Sequence, residues 1–171
     1  MAEFLSDRNF DRFKDLIYNE SGITFSVTNR SILESRLKDR LRENKMDDID
    51  AYYKILTSNK EELKIMLDSV TTNLTRFFRN QPHFDALIHY VIPEMVKIKQ
   101  ALGQKQIHIW SAGCSTGEEP YTIAMVMKRH LPAGYTADIL ASDLSFKSLV
   151  VGKQGFYPES RVVGIPDDYL A

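Results

Sequence analysis

The segment Trp110-Ser111-Ala112-Gly113-Cys114-Ser115-Thr116-Gly117-Glu118-Glu119-Pro120-Tyr121 constrains this chain more than any other. An apolar run, Ile107 to Trp110, enters it, and a run of helical character, Tyr121 to Leu131, leaves it. Gly113 and Gly117 sit between them among small residues. A buried strand that hands over to a helix through such a turn brings a small ligand to the helix N-terminus. A phosphate cradle of this shape carries Lys or bare backbone N–H groups there, whereas this chain has Glu118 and Glu119. Carboxylates repel phosphate, so the turn points to a ligand that is cationic or rich in hydrogen-bond donors.

A second strand is expected over Asp138 to Ser142, ending at Asp143, with a further helix around Leu144 to Val151. The result is a β-α-β unit with a carboxylate at the tip of its second strand, where open α/β sheets bind ligands. The interval from Gly117 to Asp143 suits an acid that grips a ribose diol. A nucleoside triphosphate is disfavoured because no Lys follows Gly117, and a nicotinamide dinucleotide because its pyrophosphate would face Glu118. S-adenosylmethionine fits better: it has no phosphate, carries a sulfonium and an ammonium, and offers its ribose to Asp143. The competing reading is an ordinary strand-to-helix turn that binds nothing. A doubly wound sheet needs about five strands and this chain offers two or three. The expectation is a fold completed by another chain, or a fragment.

The region before the β-α-β unit differs in composition. Residues 1–70 hold 12 Lys/Arg and 14 Asp/Glu, with one glycine, Gly22, and no proline; the remainder holds 10 and 9. That density predicts a small all-helical domain. Helix one carries Phe10, Phe13, Ile17 and Leu16, with Ser6 as N-cap and Gly22 as stop. Helix two repeats Leu33, Leu37 and Leu41 every four residues. A third helix follows Asp47 or Asp48 with Tyr52, Tyr53 and Leu56, and Asn59-Lys60-Glu61-Glu62 reads as a capping box opening a fourth through Leu63, Met66, Leu67 and Val70. Residues 71–81 read as a linker that also carries function. Pro82 starts another helix (Phe84, Leu87, Ile88, Val91) that Pro93 interrupts, and Gly152 to Ala171 reads as irregular. The domains are thus 1–70, a linker 71–81, and 82–171.

Several function classes are disfavoured. A net charge of −1 argues against a whole-molecule nucleic-acid or membrane field. The single cysteine, Cys114, excludes an internal disulfide and fits a reducing, cytoplasmic setting, and no segment has the apolar length to span a bilayer. Cys114 reads as a small filler residue rather than a nucleophile, and His83, His89, His108 and His130 lack metal-ligand spacing, so no metal site is expected. Arg36 with Arg40, and Lys38 with Arg42, are i, i+4 neighbours on helix two. Read alone they are a solvated face. Asn73-Leu74-Thr75-Arg76-Phe77-Phe78-Arg79 reads either as a helix end with basic residues and packing phenylalanines, or as a site segment presenting Asn73, Thr75 and Arg79.

Taken together, Ser69 to Arg79, Trp110 to Tyr121 and Ala141-Ser142-Asp143 resemble the chemotaxis receptor methyltransferase family, CheR, in order and spacing over nearly all 171 residues. The resemblance implies an α plus α/β protein: a small helical bundle followed by an incomplete Rossmann-like, S-adenosyl-L-methionine-dependent methyltransferase domain. It implies methyl-ester formation on glutamates of the cytoplasmic helices of chemoreceptors, with S-adenosyl-L-homocysteine as product. In such enzymes the Asn, Thr and second Arg of the N-L-T-x-F-F-R motif contact the cofactor, which gives Asn73, Thr75 and Arg79 here; Arg79 also orients the reacting groups. An acid of the turn, Glu118 or Glu119, and Asp143 complete the set. The basic face Arg36, Lys38, Arg40 and Arg42 becomes a docking surface for the acidic receptor helix.

The family's remaining strands, its small β-subdomain and an N-V-x-I-Y-F-like motif at the adenine do not occur after Gly155. The expectation is that these residues are a piece of a longer methyltransferase. The alternative is a short receptor-binding or cofactor-sensing module without catalysis, dimeric by swapping or edge pairing.

Overall fold

Helix α1, Asp7–Ser21, begins where the Ser6 hydroxyl accepts the Asn9 backbone N–H at 3.3 Å and ends at Gly22, whose φ of 74° reverses the chain. This is the first element of a computed structural model that describes residues 4–170. Helices α2 (Arg30–Glu43), α3 (Ile49–Ser58, capped by Asp48) and α4 (Lys60–Val70) follow. The i, i+4 stripe Leu33, Leu37, Leu41 is buried with Phe10, Phe13, Ile17, Tyr52, Leu56 and Met66 in one core. Phe13 stacks on Tyr52 and meets Tyr53 edge-on at 5.2 Å.

The capping box at α4 forms only by half. The Asn59 side chain accepts the N–H groups of Glu61 and Glu62, as expected. The Glu62 side chain, however, does not turn back to the Asn59 backbone. It is buried, receiving Arg40 Nη2 at 2.7 Å, the Tyr52 hydroxyl at 2.7 Å and Asn44 Nδ2 at 2.9 Å. A buried carboxylate takes charge-assisted donors over a single amide. Burial pushes the Glu62 carboxyl up, but these three donors outweigh it and leave it below its ordinary range. The same burial, with Glu62 beside it, pushes the Tyr52 phenol well up.

The chain divides into compact units between Thr72 and Asn73. The linker expected over 71–81 is therefore for the most part a piece of the second unit, because Phe77 and Phe78 lie in its core. Helix α5 (Gln81–Ala86) runs through a π-turn, Leu87–Val91, directly into α6 (Ile92–Ala101). Pro93 thus does not break this helix. Proline lacks the N–H that an α-turn requires, and the wider turn before it, with Ile92 N–H bonded to Leu87 O, carries the chain past.

Strands β1 (Gln106–Ala112) and β2 (Thr136–Ser142) pair in parallel, Gln106 opposite Thr136 and Ala112 opposite Ser142. Helix α7 (Glu118–His130) makes the crossover. On one face β1 buries Ile107 in a cluster with Val126 and Met127 of α7. The other face leaves Trp110 and Leu140 exposed side by side. Helix α8 (Phe146–Gln154) follows β2, and Gly152 onward is more ordered than its composition suggests. It forms a short helix α9 (Glu159–Val162), and Tyr157, Ile165 and Tyr169 pack on the second core.

Candidate cofactor turn

The turn between β1 and α7 is built from left-handed residues: Gly113 at φ 77°, Ser115 at φ 49° and Gly117 at φ 98°. Glycine takes such angles freely, whereas Ser115 must be held there. It is held by Asp143, whose Oδ2 accepts the Ser115 N–H at 2.7 Å while Oδ1 accepts the Ser145 N–H at 2.8 Å. The Ser115 hydroxyl in turn reaches the carbonyl of Asn73 at 3.3 Å. Backbone bonds from Gly113 and Cys114 to Ser142 O close the turn onto the tip of β2. Three segments far apart in sequence therefore meet at Ser115.

Phe77 and Phe78 anchor the segment 73–79. Phe77 meets Tyr157 edge-on at 4.9 Å, and Phe78 packs on Phe84 and Tyr169. Phe78 is a bulky residue at φ 49°, and its N–H donates to Thr122 Oγ1 of α7 at 3.2 Å. Asn73 and Arg79 are exposed and Thr75 is half-buried. Arg79 Nη1 donates to Leu74 O at 2.6 Å.

The two acids at the start of α7 are not equivalent. Glu118 is fully buried; its Oε1 receives Arg161 Nη1 at 2.8 Å and its Oε2 the Thr116 hydroxyl at 2.6 Å. Glu119 is exposed, with Oε1 held by the Ser111 hydroxyl at 2.6 Å. Of the pair, Glu119 is the acid a ligand can reach. Asp143 and Glu119 place carboxylate acceptors beside the turn, and Gly113 leaves open space where a Cβ would stand.

Sequence reasoning missed Arg161, Tyr157, Thr116 and Ser111. The Tyr157 hydroxyl donates to Thr116 O at 2.6 Å, and a Cβ on Gly117 would lie 2.6 Å from Tyr157 Oη. Burial pushes the Tyr157 phenol up to about 12, with Glu118 and Tyr121 adding to it. Cys114 is buried, and burial followed by the Asp143 charge pushes its thiol up, which suits a filler residue. A cavity of about 420 Å³ lies on the α8 side of the turn, lined by Gly117, Tyr121, Ile139, Ala141, Leu149 and Gly152 among others. Among the described residues no group of three or more His, Cys, Asp or Glu is placed to hold a metal. His108 instead lies 3.5 Å from Asp138, and His130 bonds Tyr169.

One proposed docking residue is corrected. Arg40 is buried and bound to Glu62 and Glu43, so it offers no charge to a partner. Its place three residues after Leu37 sets it on the flank of the apolar stripe, where α4 packs. Arg36, Lys38 and Arg42 are exposed, the last two in ion pairs with Glu34 and Asp39.

Residues 73–171 match the family described as CheR methyltransferase, SAM binding domain, and residues 8–71 match CheR methyltransferase, all-alpha domain. The chain is 34% identical over 160 residues to a chemotaxis protein methyltransferase of Borreliella burgdorferi, covering 91% of this chain and 56% of that protein. It is 36% identical over 169 residues to the chemotaxis protein methyltransferase of Escherichia coli K12, covering 97% of this chain and 56% of that protein. A probable chemotaxis protein methyltransferase of Rhizobium etli is 36% identical over 151 residues, 86% of this chain and 56% of its own length. The chain spans about half the length of the curated relatives it matches. With both family domains matched in order over its two compact units, the chain belongs to the CheR methyltransferase family.

Proposed function

We propose that this chain carries an S-adenosyl-L-methionine site of a protein-glutamate O-methyltransferase that esterifies glutamates on the cytoplasmic helices of chemoreceptors in chemotactic adaptation. The observation that supports this most is the meeting of Asn73, the glycine turn and Asp143 at Ser115. The cofactor contacts proposed are Asn73, Thr75, Arg79, Glu119 and Asp143. Glu119 is preferred over Glu118 because it is the exposed acid of the two. When bound, the cofactor supplies an electrophilic methyl group on a sulfonium.

The chain's residues then have little proton chemistry to do. A glutamate side chain has a pKa of about 4.3 and is ionised at neutral pH, so its oxygen attacks without a general base. Rate comes from alignment and from excluding water. Arg79 is the proposed catalytic residue: its planar guanidinium has five donors, one of them on Leu74 O, and suits orienting a carboxylate. Arg36, Lys38 and Arg42 are proposed to dock the acidic receptor helix. The setting is proposed to be cytoplasmic, without nucleic acid or membrane insertion; no described helix is long and apolar enough to cross a membrane.

Isothermal titration of the chain with S-adenosylhomocysteine tests the site. Saturable one-to-one heat is expected, weakened at least about tenfold, or about 1.4 kcal/mol, by Asp143→Ala. No heat at roughly millimolar ligand, where a binding free energy of about −4 kcal/mol registers, rejects the reading.

A further inference from the structure

The start of α7 places two adjacent carboxylates where a cationic ligand is proposed to bind, yet only one of them faces solvent. The buried one is matched by a residue 43 positions further along the chain. Arg161 Nη1 sits 2.8 Å from Glu118 Oε1 and 3.0 Å from Thr116 Oγ1. The Thr116 hydroxyl donates to Glu118 Oε2 at 2.6 Å, so Arg161, Thr116 and Glu118 form a closed triangle of hydrogen bonds. Tyr157, from the same stretch of chain, holds the Thr116 carbonyl at 2.6 Å. The peptide that leads into Gly117 is thus fixed from both its side chain and its backbone by residues 157 and 161.

An exposed ion pair would carry no argument, since such pairs contribute little. Here the acid is fully buried while the arginine is about half exposed. A buried carboxylate needs a counter-charge, and Arg161 provides one at a distance where the two charges cancel as seen from the turn. What remains is the Glu119 carboxylate, steadied by Ser111. Resting on the cofactor reading above, we propose that Arg161 is a positioning and specificity-determining residue of the turn: it neutralises Glu118 and fixes Thr116, so that a cationic cofactor meets one acid rather than two.

S-adenosylmethionine and S-adenosylhomocysteine test this because they differ by a methyl group and one positive charge at sulfur. The quantity read is the ratio of their affinities for the chain, measured by titration at about 0.15 M salt to limit screening differences. In Arg161→Gln the unmatched Glu118 charge shifts the ratio toward the cation by about fivefold or more. In Glu118→Gln the unmatched Arg161 charge shifts it the opposite way. Arg161→Lys, and the double variant Glu118→Gln/Arg161→Gln, stay within about twofold of the parent because the charges balance again. The double variant buries no lone charge, so it reports even where Arg161→Gln fails to fold; a shifted ratio there overturns the inference. Equal loss of both ligands in the single variants, with the ratio unmoved, also overturns it and reduces Arg161 to a scaffold residue. A parent chain that binds neither ligand overturns the cofactor reading and this inference with it. A parent that binds both, with an unmoved ratio in the variants, overturns this inference alone.

Discussion

Replacing Arg40 with methionine keeps the length and the apolar stem of the side chain and deletes its charge. Glu62 then stays buried with only the Tyr52 hydroxyl at 2.7 Å and Asn44 Nδ2 at 2.9 Å among its observed donors. Removing one partner of a buried ion pair costs about 3–5 kcal/mol, because the other charge is left uncompensated. A unit of about 70 residues has a stability of roughly 4–10 kcal/mol, so the change should consume much of it. With a urea slope of about 1.5 kcal/mol per molar, the midpoint should fall by about 2–3 M. The measurement is urea unfolding, with hydrogen exchange of the α2 and α4 amides to localise the effect. Arg40→Met/Glu62→Gln should recover at least about half of the loss, since glutamine keeps an acceptor for Tyr52 and Asn44 without a charge.

The pH dependence fixes the sign. The folded carboxyl of Glu62 lies below its ordinary 4.5, so it contributes stability above that pH and loses it as pH falls through the folded value. In Arg40→Met burial acts with one fewer opposing donor, and protonation relieves the buried charge. The gap between parent and variant should therefore narrow below about pH 4. A midpoint shift under about 1 M, or a gap that widens in acid, would refute the account of Glu62 as a buried, ionised anchor.

Two further perturbations probe the turn. Gly117→Ala combines a φ of 98° with a Cβ 2.6 Å from Tyr157 Oη and 3.0 Å from Gly152 Cα. It should destabilise the second unit by about 2 kcal/mol or more, read from the thermal transition of Trp110 fluorescence; an unchanged transition would show that Tyr157 yields freely. Tyr157, with its phenol at about 12, should appear as a late step in tyrosinate absorbance that Tyr157→Phe removes. Because a raised phenol pKa keeps its proton in the folded state, the stability it contributes is present below about pH 10 and lost on the way to pH 12. A Tyr157→Phe variant with the same alkaline stability profile would contradict this.

Local signals in the sequence were legible where the structure is local. The Ser6 cap, the Gly22 stop and the Leu33, Leu37, Leu41 stripe depend on neighbours within a turn or two of helix, and each stands where its pattern put it. The β-α-β unit was legible for the same reason, since its apolar runs and glycines are contiguous. Arg40 was not. Its i, i+4 relation to Arg36 suggested a basic face, while its i, i+3 relation to Leu37 put it on the edge of the core, and only the position of Glu62 on α4 decides between them. The π-turn ahead of Pro93 was hidden too, because a proline signals a missing donor without saying whether the chain breaks or widens.

The glycine turn shows why motif residues and site geometry are different kinds of information. Gly117 reads as part of a turn that brings a ligand to the helix N-terminus. In the structure its missing Cβ is already required by Tyr157 and Gly152, before any ligand is considered. Glu118 and Glu119 are adjacent and chemically identical, yet a helix turns neighbours by about 100°, so one faces the interior and the other solvent. That rotation alone would leave Glu118 a buried, unpaired charge. It is tolerable because Arg161 arrives from a segment whose irregular composition carries no periodic signal. The two acids therefore differ in their surroundings: Glu118 holds residues 157–161 against the turn because a distant arginine completes its pairing, and Glu119 is the one proposed to meet a cation. The charge-ratio experiment addresses that dependence directly: each unmatched charge must move the ratio in its own direction.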